Sequence, residues 1–283
     1  MHLGFESILP SILNRCGTLE AIPAENDSKY ERGRIYIAPF NYHLMIKDSM
    51  TVLSRGPRAN GHRPAIDVLF RSAAREHRNR VTGVVLTGGL DDGTAGLYRI
   101  KARGGVAVVQ DPTESVNPSM PRSALENVDV DFCLPVSQIP DVLVRLASGE
   151  ATKITDAENG ESDMDKRATV QDPTSEPPGR QVPLACPECN GPIYEIKEGE
   201  LAHFQCFVGH AFSPESLSDQ HTDALERALW TAMRTLKERT ALHQKLIERK
   251  RNKGEEKLMG RLEESLQTAE KDLKLLREIL DRI

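Results

Sequence analysis

No run of this sequence approaches the ~18 consecutive apolar residues that a membrane-crossing helix needs. Nor does the N-terminus carry a basic stretch followed by an apolar one, so neither membrane insertion nor secretion is expected. Positive charge is in short supply as well: 37 Lys and Arg stand against 42 Asp and Glu, a net charge of −5. A general nucleic-acid binder is normally basic over at least one domain, so this balance counts against that class. Cysteine is scarce and uneven. Of five cysteines, Cys16 and Cys133 stand alone, whereas Cys186, Cys189 and Cys206 fall close together. An odd count with one tight C-x-x-C fits metal binding in a reducing compartment better than a disulfide framework. A cytoplasmic protein is the expectation.

What is present divides the 283 residues into regions of different character. Residues 1–149 alternate short β-branched runs with amphipathic helical stretches. The run Arg34-Ile35-Tyr36-Ile37-Ala38-Pro39 reads as a strand stopped by proline, and a hairpin follows between Leu44-Met45-Ile46 and Thr51-Val52-Leu53. A helix is expected from Pro64 to Glu76, with Ile66, Leu69, Phe70 and Ala73 on one face. Val81 to Thr87 is a nearly continuous apolar run, the mark of a strand covered on both sides. A glycine-rich turn, a helix to about Ala102 and a strand from Val106 to Gln110 come next; a helix at Ala124, a strand Val130 to Leu134 and a helix Ile139 to Ala147 complete the series. Strand and helix in alternation predict an α/β fold, a doubly wound and mostly parallel sheet.

Residues 150–182 are rich in Asp, Glu, Ser, Thr, Pro and Gly and have no apolar rhythm, which predicts a flexible linker. Residues 183–212 form a small cysteine/histidine module of zinc-ribbon type. Residues 213–283 are helical. Ser213-Pro214-Glu215 is a helix start, with a hydroxyl at the N-cap, proline at the first helical position and then an acid. Leu225, Leu229, Met233 and Leu236 recur at helical spacing, and Asn252-Lys253-Gly254 offers a break. Beyond it Leu262, Leu266, Ala269, Leu273, Leu276 and Leu280 alternate steps of four and three, the seam of a coiled coil or helical hairpin. Such helices either pack only on each other or serve a partner or a second copy of the chain.

Chemistry concentrates in a few places. The spacing Cys186-x2-Cys189-x16-Cys206-x3-His210 supplies four ligands of the kind zinc takes in a tetrahedron. His203 is an alternative to His210, and buried or redox-active thiols are the alternative to a metal. With four protein ligands the zinc would be structural, since no position is left for water. Gly88-Gly89-Leu90-Asp91-Asp92-Gly93 lies at the carboxyl end of a buried strand and opens a helix. Ligands gather at that edge of an α/β sheet, although an Asp-Gly pair also makes ordinary turns. Arg63 and Asp67 lie about one helical turn apart, as a surface ion pair would, and His2 taken alone is a terminal residue.

Taken together and in this order, the pieces resemble the catalytic domain of chemotaxis protein-glutamate methylesterases of the CheB type. The resemblance is carried by Gly33-Arg34-Ile35-Tyr36-Ile37-Ala38-Pro39, His43, Gly61-His62-Arg63-Pro64-Ala65-Ile66-Asp67-Val68-Leu69-Phe70, Gly83-Val84-Val85-Leu86-Thr87-Gly88, Asp92-Gly93, Gly96 and Met120-Pro121-Arg122. It covers about residues 1–148. In that family a serine attacks a glutamate methyl ester on a chemoreceptor, a histidine takes its proton and an aspartate orients the histidine. Some members also deamidate glutamines. The resemblance assigns the aspartate to Asp92 and the histidine to His2, and makes methyl-accepting chemoreceptors the expected partners, with no cofactor for catalysis.

Two positions and one missing motif depart from the family. Gly89 stands where the family has methionine, and Ser119 where it usually has glycine. The nucleophile's Gly-x-Ser-x-Gly-Gly turn, expected upstream of the histidine, is absent, and Ser7 and Ser11 lie in a helical pattern unsuited to replace it. Two explanations follow. One is a truncated product or mis-called start that lacks the first strand. The other is an inactive regulatory or scaffold protein that binds partners through the zinc module and coiled-coil tail. The first is preferred, because a stable sheet does not readily lose a central strand.

Overall fold

The structure, a computed structural model, describes residues 7–149, 179–198, 201–251 and 256–283. It divides into two compact units, residues 1–217 and 218–283. The first opens with α1 (Leu9–Cys16), β1 (Glu20–Pro23), β2 (Ser28–Lys29) and β3 (Arg34–Ile37). β1 and β3 pair in parallel, Glu20 opposite Arg34. The hairpin is β4 (His43–Lys47) and β5 (Met50–Ser54), with β2 added on the outer edge of β5. Then come α2 (Ile66–His77), β6 (Thr82–Val85), α3 (Thr94–Ala102), β7 (Val106–Gln110), α4 (Ser119–Asn127), β8 (Phe132–Leu134) and α5 (Ile139–Ser148). β6, β7 and β8 form a parallel three-stranded sheet in chain order. The α/β expectation holds, with the parallel ladders divided between two sheets and the antiparallel hairpin between them in sequence.

The core explains why these segments fold as they do. Ala74, Val85, Leu97, Ile100, Ala107, Val109 and Ala124 are essentially removed from water, and Ile66 and Phe70 pack against them. Full burial of a Leu or Ile stabilises by about 1.5–3 kcal/mol, so Leu97 and Ile100 anchor α3 to the sheet. The buried face of α2 runs through Ile66, Phe70 and Ala74, in steps of four. Ala74 takes the core place that the sequence pattern gave to Ala73, because a third residue four on from Phe70 keeps the stripe straight. α2 also starts later than expected: Ala65 is its N-cap, and Pro64 precedes it.

The expected linker is shorter at its far end. β9 (Arg180–Ala185) begins inside it, and most of the segment lies outside the described residues. β9, β10 (Pro192–Glu198), β11 (Leu201–Cys206) and β12 (Ala211–Phe212) form one antiparallel sheet. Its core is small: Cys186, Ile193, Cys206, Phe212 and Leu217. It belongs with the α/β elements in the first unit. Ala59 bridges Ala211, the Asn60 amide donates to the Ala211 carbonyl (2.8 Å), and Arg58 pairs with Glu188 (3.3 Å).

α6 (Pro214–Arg251) starts in the first unit and runs into the second, which also holds α7 (Glu256–Leu280). The expected break at 252–254 lies outside the described residues. Along α7 the expected seam residues Leu262, Leu266, Leu273, Leu276 and Leu280 are half-buried and Ala269 is buried, whereas Leu275 is exposed. Along α6, Met233 and Ile247 are buried but Leu225 is exposed, so that leucine lies off the seam. No helix among the described residues is long and apolar enough to cross a membrane.

Candidate functional site

The turn between β6 and α3 carries Asp91 and Asp92 at the carboxyl edge of the parallel sheet, where a loop can present side chains above the strand ends. It is tied down from several sides. The Thr87 amide donates to Gln110 Oε1 (2.9 Å), the Gly88 amide to the Asn117 carbonyl (3.0 Å), and the Met120 amide to the Gly88 carbonyl (3.0 Å). Leu90 has φ +59° and Gly93 φ +99°. A branched side chain in the left-handed region costs roughly 1–2 kcal/mol, and such strain accumulates where surrounding structure enforces a functional geometry. At Gly93 a side chain would be strained as well, with its Cβ 3.0 Å from Ile66 Cγ2.

Two carboxylates on different elements cap each other's helices. Asp92 accepts the amides of Ile66 (2.8 Å) and Asp67 (3.2 Å), the first two residues of α2. Asp67 in turn accepts the amides of Gly93 (3.1 Å) and Gly96 (2.6 Å), at the start of α3. Neither helix has a side-chain cap from its own N-cap residue, Ala65 or Gly93. Each therefore borrows an acid from its neighbour to satisfy orphan N–H groups and the positive end of the helix dipole.

Asn60 completes the cluster. Its Nδ2 donates to Asp67 Oδ2 (3.0 Å) and, at longer range, to Asp92 Oδ1 (3.4 Å). Burial, and then the like charge of Asp92, pushes the Asp67 carboxyl up to about 6. Burial also pushes Asp91 up to about 6, against the pull of the Ser213 hydroxyl, which donates to Asp91 Oδ1 (2.8 Å). The expected Arg63–Asp67 surface pair does not form. Asp67 is buried and turned toward α3, whereas Arg63 donates to Asn41 Oδ1 and to the carbonyls of Arg55 and Gly56.

His43 is buried on β4. Its Nδ1 accepts the Ala65 amide (3.3 Å), which leaves Nε2–H to donate to the Pro57 carbonyl (3.0 Å). Burial holds its proton affinity below the ordinary imidazole range, as befits a neutral ring fixed between two backbone groups. It shapes the loop that leads into α2. His2 lies outside the described residues.

The second cluster is Cys186, Cys189, Cys206 and His210, whose ligand atoms all lie within 4.8 Å of one another. Cys189 Sγ is 3.6 Å from Cys206 Sγ, and His210 Nδ1 is 3.5 Å from Cys206 Sγ and 3.7 Å from Cys186 Sγ. A tetrahedron with metal–sulfur bonds of about 2.3 Å has edges of about 3.5–3.8 Å, so the donor set fits zinc. The chain forms a tight turn at each half. The Asn190 amide returns to the Cys186 carbonyl (2.7 Å) and the Gly209 amide to the Cys206 carbonyl (2.9 Å), with Asn190 and Gly209 at positive φ. His203, the alternative ligand, sits on β11 outside the cluster.

A cavity of about 250 Å³ lies between β11 and the helices of the α/β part, lined by Asn60, Asp67, Arg71, Asp91, His203 and Ser213 among others. The sequence singles out Asp92 and the four residues that gather in the cysteine/histidine cluster, but not Asn60, the capping role of Asp67 or the contact of Ser213 with Asp91. Asn60 directly precedes the Gly61-His62-Arg63-Pro64 run, which was the signal available for it.

The CheB methylesterase family model matches residues 1–143. A relative from Leptospira interrogans is 43% identical over 136 residues, which is 48% of this chain and 70% of that protein. The protein-glutamate methylesterase/protein-glutamine glutaminase of Pyrococcus abyssi is 34% identical over 149 residues, 51% of this chain and 40% of that protein. Among solved structures, the CheB methylesterase catalytic domain of Thermotoga maritima is 32% identical and aligns with 52% of this chain and 79% of its own, with a TM-score of 0.49.

Proposed function

This chain belongs to the CheB methylesterase family, and from that premise we propose that its α/β part is a protein-glutamate methylesterase domain acting on chemoreceptor glutamates in the cytoplasm. Deamidation of receptor glutamines belongs to the same reading, after the dual designation of relatives such as the Pyrococcus protein. Asp92 is the orienting carboxylate and His2 the base. The observation that carries the proposal is the fixation of Asp92 at the sheet's carboxyl edge by two α2 amides. An acid held there can stabilise an imidazolium without moving during the reaction.

In this reaction a serine oxygen attacks the ester carbonyl, its proton passes to the imidazole, and methanol leaves with that proton. Water then cleaves the acyl-enzyme to free glutamate and serine. The route needs a serine on a Gly-x-Ser-x-Gly-Gly turn, and the 283 residues contain none. The test therefore compares methanol release from methylated receptor by this chain and by a form extended upstream to include such a turn. Activity in the extended form alone is expected. Activity in the present chain would overturn the assignment of the nucleophile, and silence of both would favour a partner-binding role for the tail.

The Cys186, Cys189, Cys206 and His210 cluster is assigned to a structural zinc, supported by the tetrahedral spacing of its donors. The ion would join the turn before β10 to the turn before β12, holding together a module whose apolar core is too small to suffice alone. Metal analysis should find one zinc per chain, lost on Cys186→Ser; equal metal in both proteins would defeat the assignment. The leucine seam of α7, with Ala269 buried within the chain itself, is read as helix packing inside the tail, and any partner or second copy would meet what that packing leaves exposed, such as Leu275.

A further inference from the structure

The acid turn and the start of α6 meet at one buried side chain. Asn60, 5% exposed, has φ +51°, and its amide group faces two ways. On one side Nδ2 donates to Asp67 (3.0 Å) and Asp92 (3.4 Å). On the other Oδ1 accepts the Ser213 amide (3.0 Å) and the Ser216 hydroxyl (3.2 Å), at the first turn of α6. Both serines are committed to that helix start: the Ser216 amide donates to Ser213 Oγ, and the Ser213 amide also donates to Ser216 Oγ, each at 3.0 Å. Ser216 is fully buried, and Ser213 Oγ donates to Asp91. The helix start is thus bonded to the acid turn directly at Asp91 and through Asn60 at Asp92, and through Asn60 to Asp67 on α2 as well.

We infer that Asn60 is a positioning residue for Asp92 and that the start of α6, packed on the cysteine/histidine sheet through Leu217, holds Asn60 in place and so braces the acid of the methylesterase site. The physical reason lies in the amide's geometry. A carboxamide that spends its oxygen on two donors from α6 has its nitrogen fixed toward the carboxylates, because the group is planar and cannot turn one end alone. Loss of the oxygen's partners frees the rotor, and Asp67 and Asp92 then lose a donor in a site where burial already disfavours the charge of Asp67. Because Asp67 and Asp92 cap α3 and α2, the loss is readable at the amides they hold. Importance of this brace for hydrolysis rests on the proposed role of Asp92; the brace itself does not.

The experiment is site-resolved amide exchange on the full chain, which needs no activity. Ser216→Ala should speed exchange at Ile66, Asp67, Gly93 and Gly96 on the order of threefold to tenfold, the scale of a lost buried hydrogen bond. A role confined to α6 would speed exchange only near residues 213–217 and would overturn the inference. Asn60→Ala should give at least the same acceleration at the four amides. The double variant should add little to Asn60→Ala, because Ser216 acts through Asn60; full additivity would equally overturn it. Should Asn60→Ala fail to fold, Asn60→Asp keeps the acceptor for α6 and removes the donor to the acids. It should then speed exchange at the four amides while leaving residues 213–217 unchanged, and the reverse pattern would refute the brace. In an active extended form, Ser216→Ala should lower kcat with KM unchanged; failure of that arm alone would count against the role of Asp92 and leave the brace standing.

Discussion

Substitution of Gly96 by alanine tests the mutual capping of α2 and α3. A Cβ at this position would lie 2.5 Å from Phe70 Cβ and 3.1 Å from both Asp67 Cα and Asp67 Oδ1. Carbon atoms rest at about 3.5–4.0 Å, so the two helices would have to part by roughly 1 Å. The Gly96 amide now reaches Asp67 Oδ1 at 2.6 Å. After such a shift it would lie near the limit of about 3.5 Å, where little bonding remains. Overpacking costs about 1–3 kcal/mol, and loss of a hydrogen bond to a carboxylate about 1.5–3 kcal/mol. Alanine returns up to about 1 kcal/mol of helix propensity. The balance is a destabilisation of roughly 2–4 kcal/mol.

Native-state exchange of Val108 and Val109, both 0% exposed on β7, reads it. At about 1.4 kcal/mol per decade, the amides should exchange ~30- to 700-fold faster. Gly260→Ala is the control, since an added Cβ there meets nothing within 4 Å; β7 exchange should not change. Acceleration of less than about threefold in Gly96→Ala would show that the helices do not approach as closely as described, and the capping account would fail with it.

Asp91 should make the protein's stability depend on pH in a definite direction. Its carboxyl is raised from 3.8 to about 6 in the folded state, so between those values the folded chain binds more protons than the unfolded one. Its contribution therefore declines as pH rises from about 4 to about 6 and is level above. Asp91→Asn is free of this loss and still accepts the Ser213 hydroxyl. Urea denaturation at pH 4 and pH 7 should show the variant gaining on the wild type by on the order of 1–3 kcal/mol at the higher pH; a pH-independent difference would refute it. In an active extended form, Asp92→Asn should lower kcat on the order of 10⁴-fold, and a loss below about tenfold would remove Asp92 from the mechanism. Zinc chelation should speed exchange at Ile193 and Phe204 in β10 and β11, because metal binding is folding energy for such modules; unchanged protection would argue against a metal clip.

Much of this architecture is written in short-range pattern. Alternating β-branched runs and amphipathic stretches give β3, the β4–β5 hairpin, β6, α3, β7 and α5 close to their observed bounds. Strand and helix periodicity depends on residues within one or two turns, so it survives reading along the chain. The cysteine/histidine cluster was equally legible, because C-x2-C and C-x3-H place donors on tight local turns. Boundaries fared worse: β9 lies partly within a segment read as linker, since Arg180 to Ala185 pairs with β10 only through ladder partners further along the chain.

The Arg63–Asp67 pair shows where local reasoning misleads. Helical spacing makes the two neighbours on paper, but the buried start of α3 offers Asp67 two amide donors, and Arg63 finds carbonyls instead. Asp92 shows the complement. Its family motif marked it, yet nothing in the motif says that its partners are the amides of Ile66 and Asp67.

Sequence by itself determined most elements of the α/β part and the tetrad that can hold a metal, because each follows from chemistry within a few residues, while the family motif marked the acid at the strand end. Tertiary structure alone decided that Asp67 and Asp92 exchange helix caps and that Ser213 and Ser216 close on Asn60, more than 150 residues away in the chain. The physical reason is that a buried polar group must find a partner wherever folding brings one, and sequence distance sets no limit on that search.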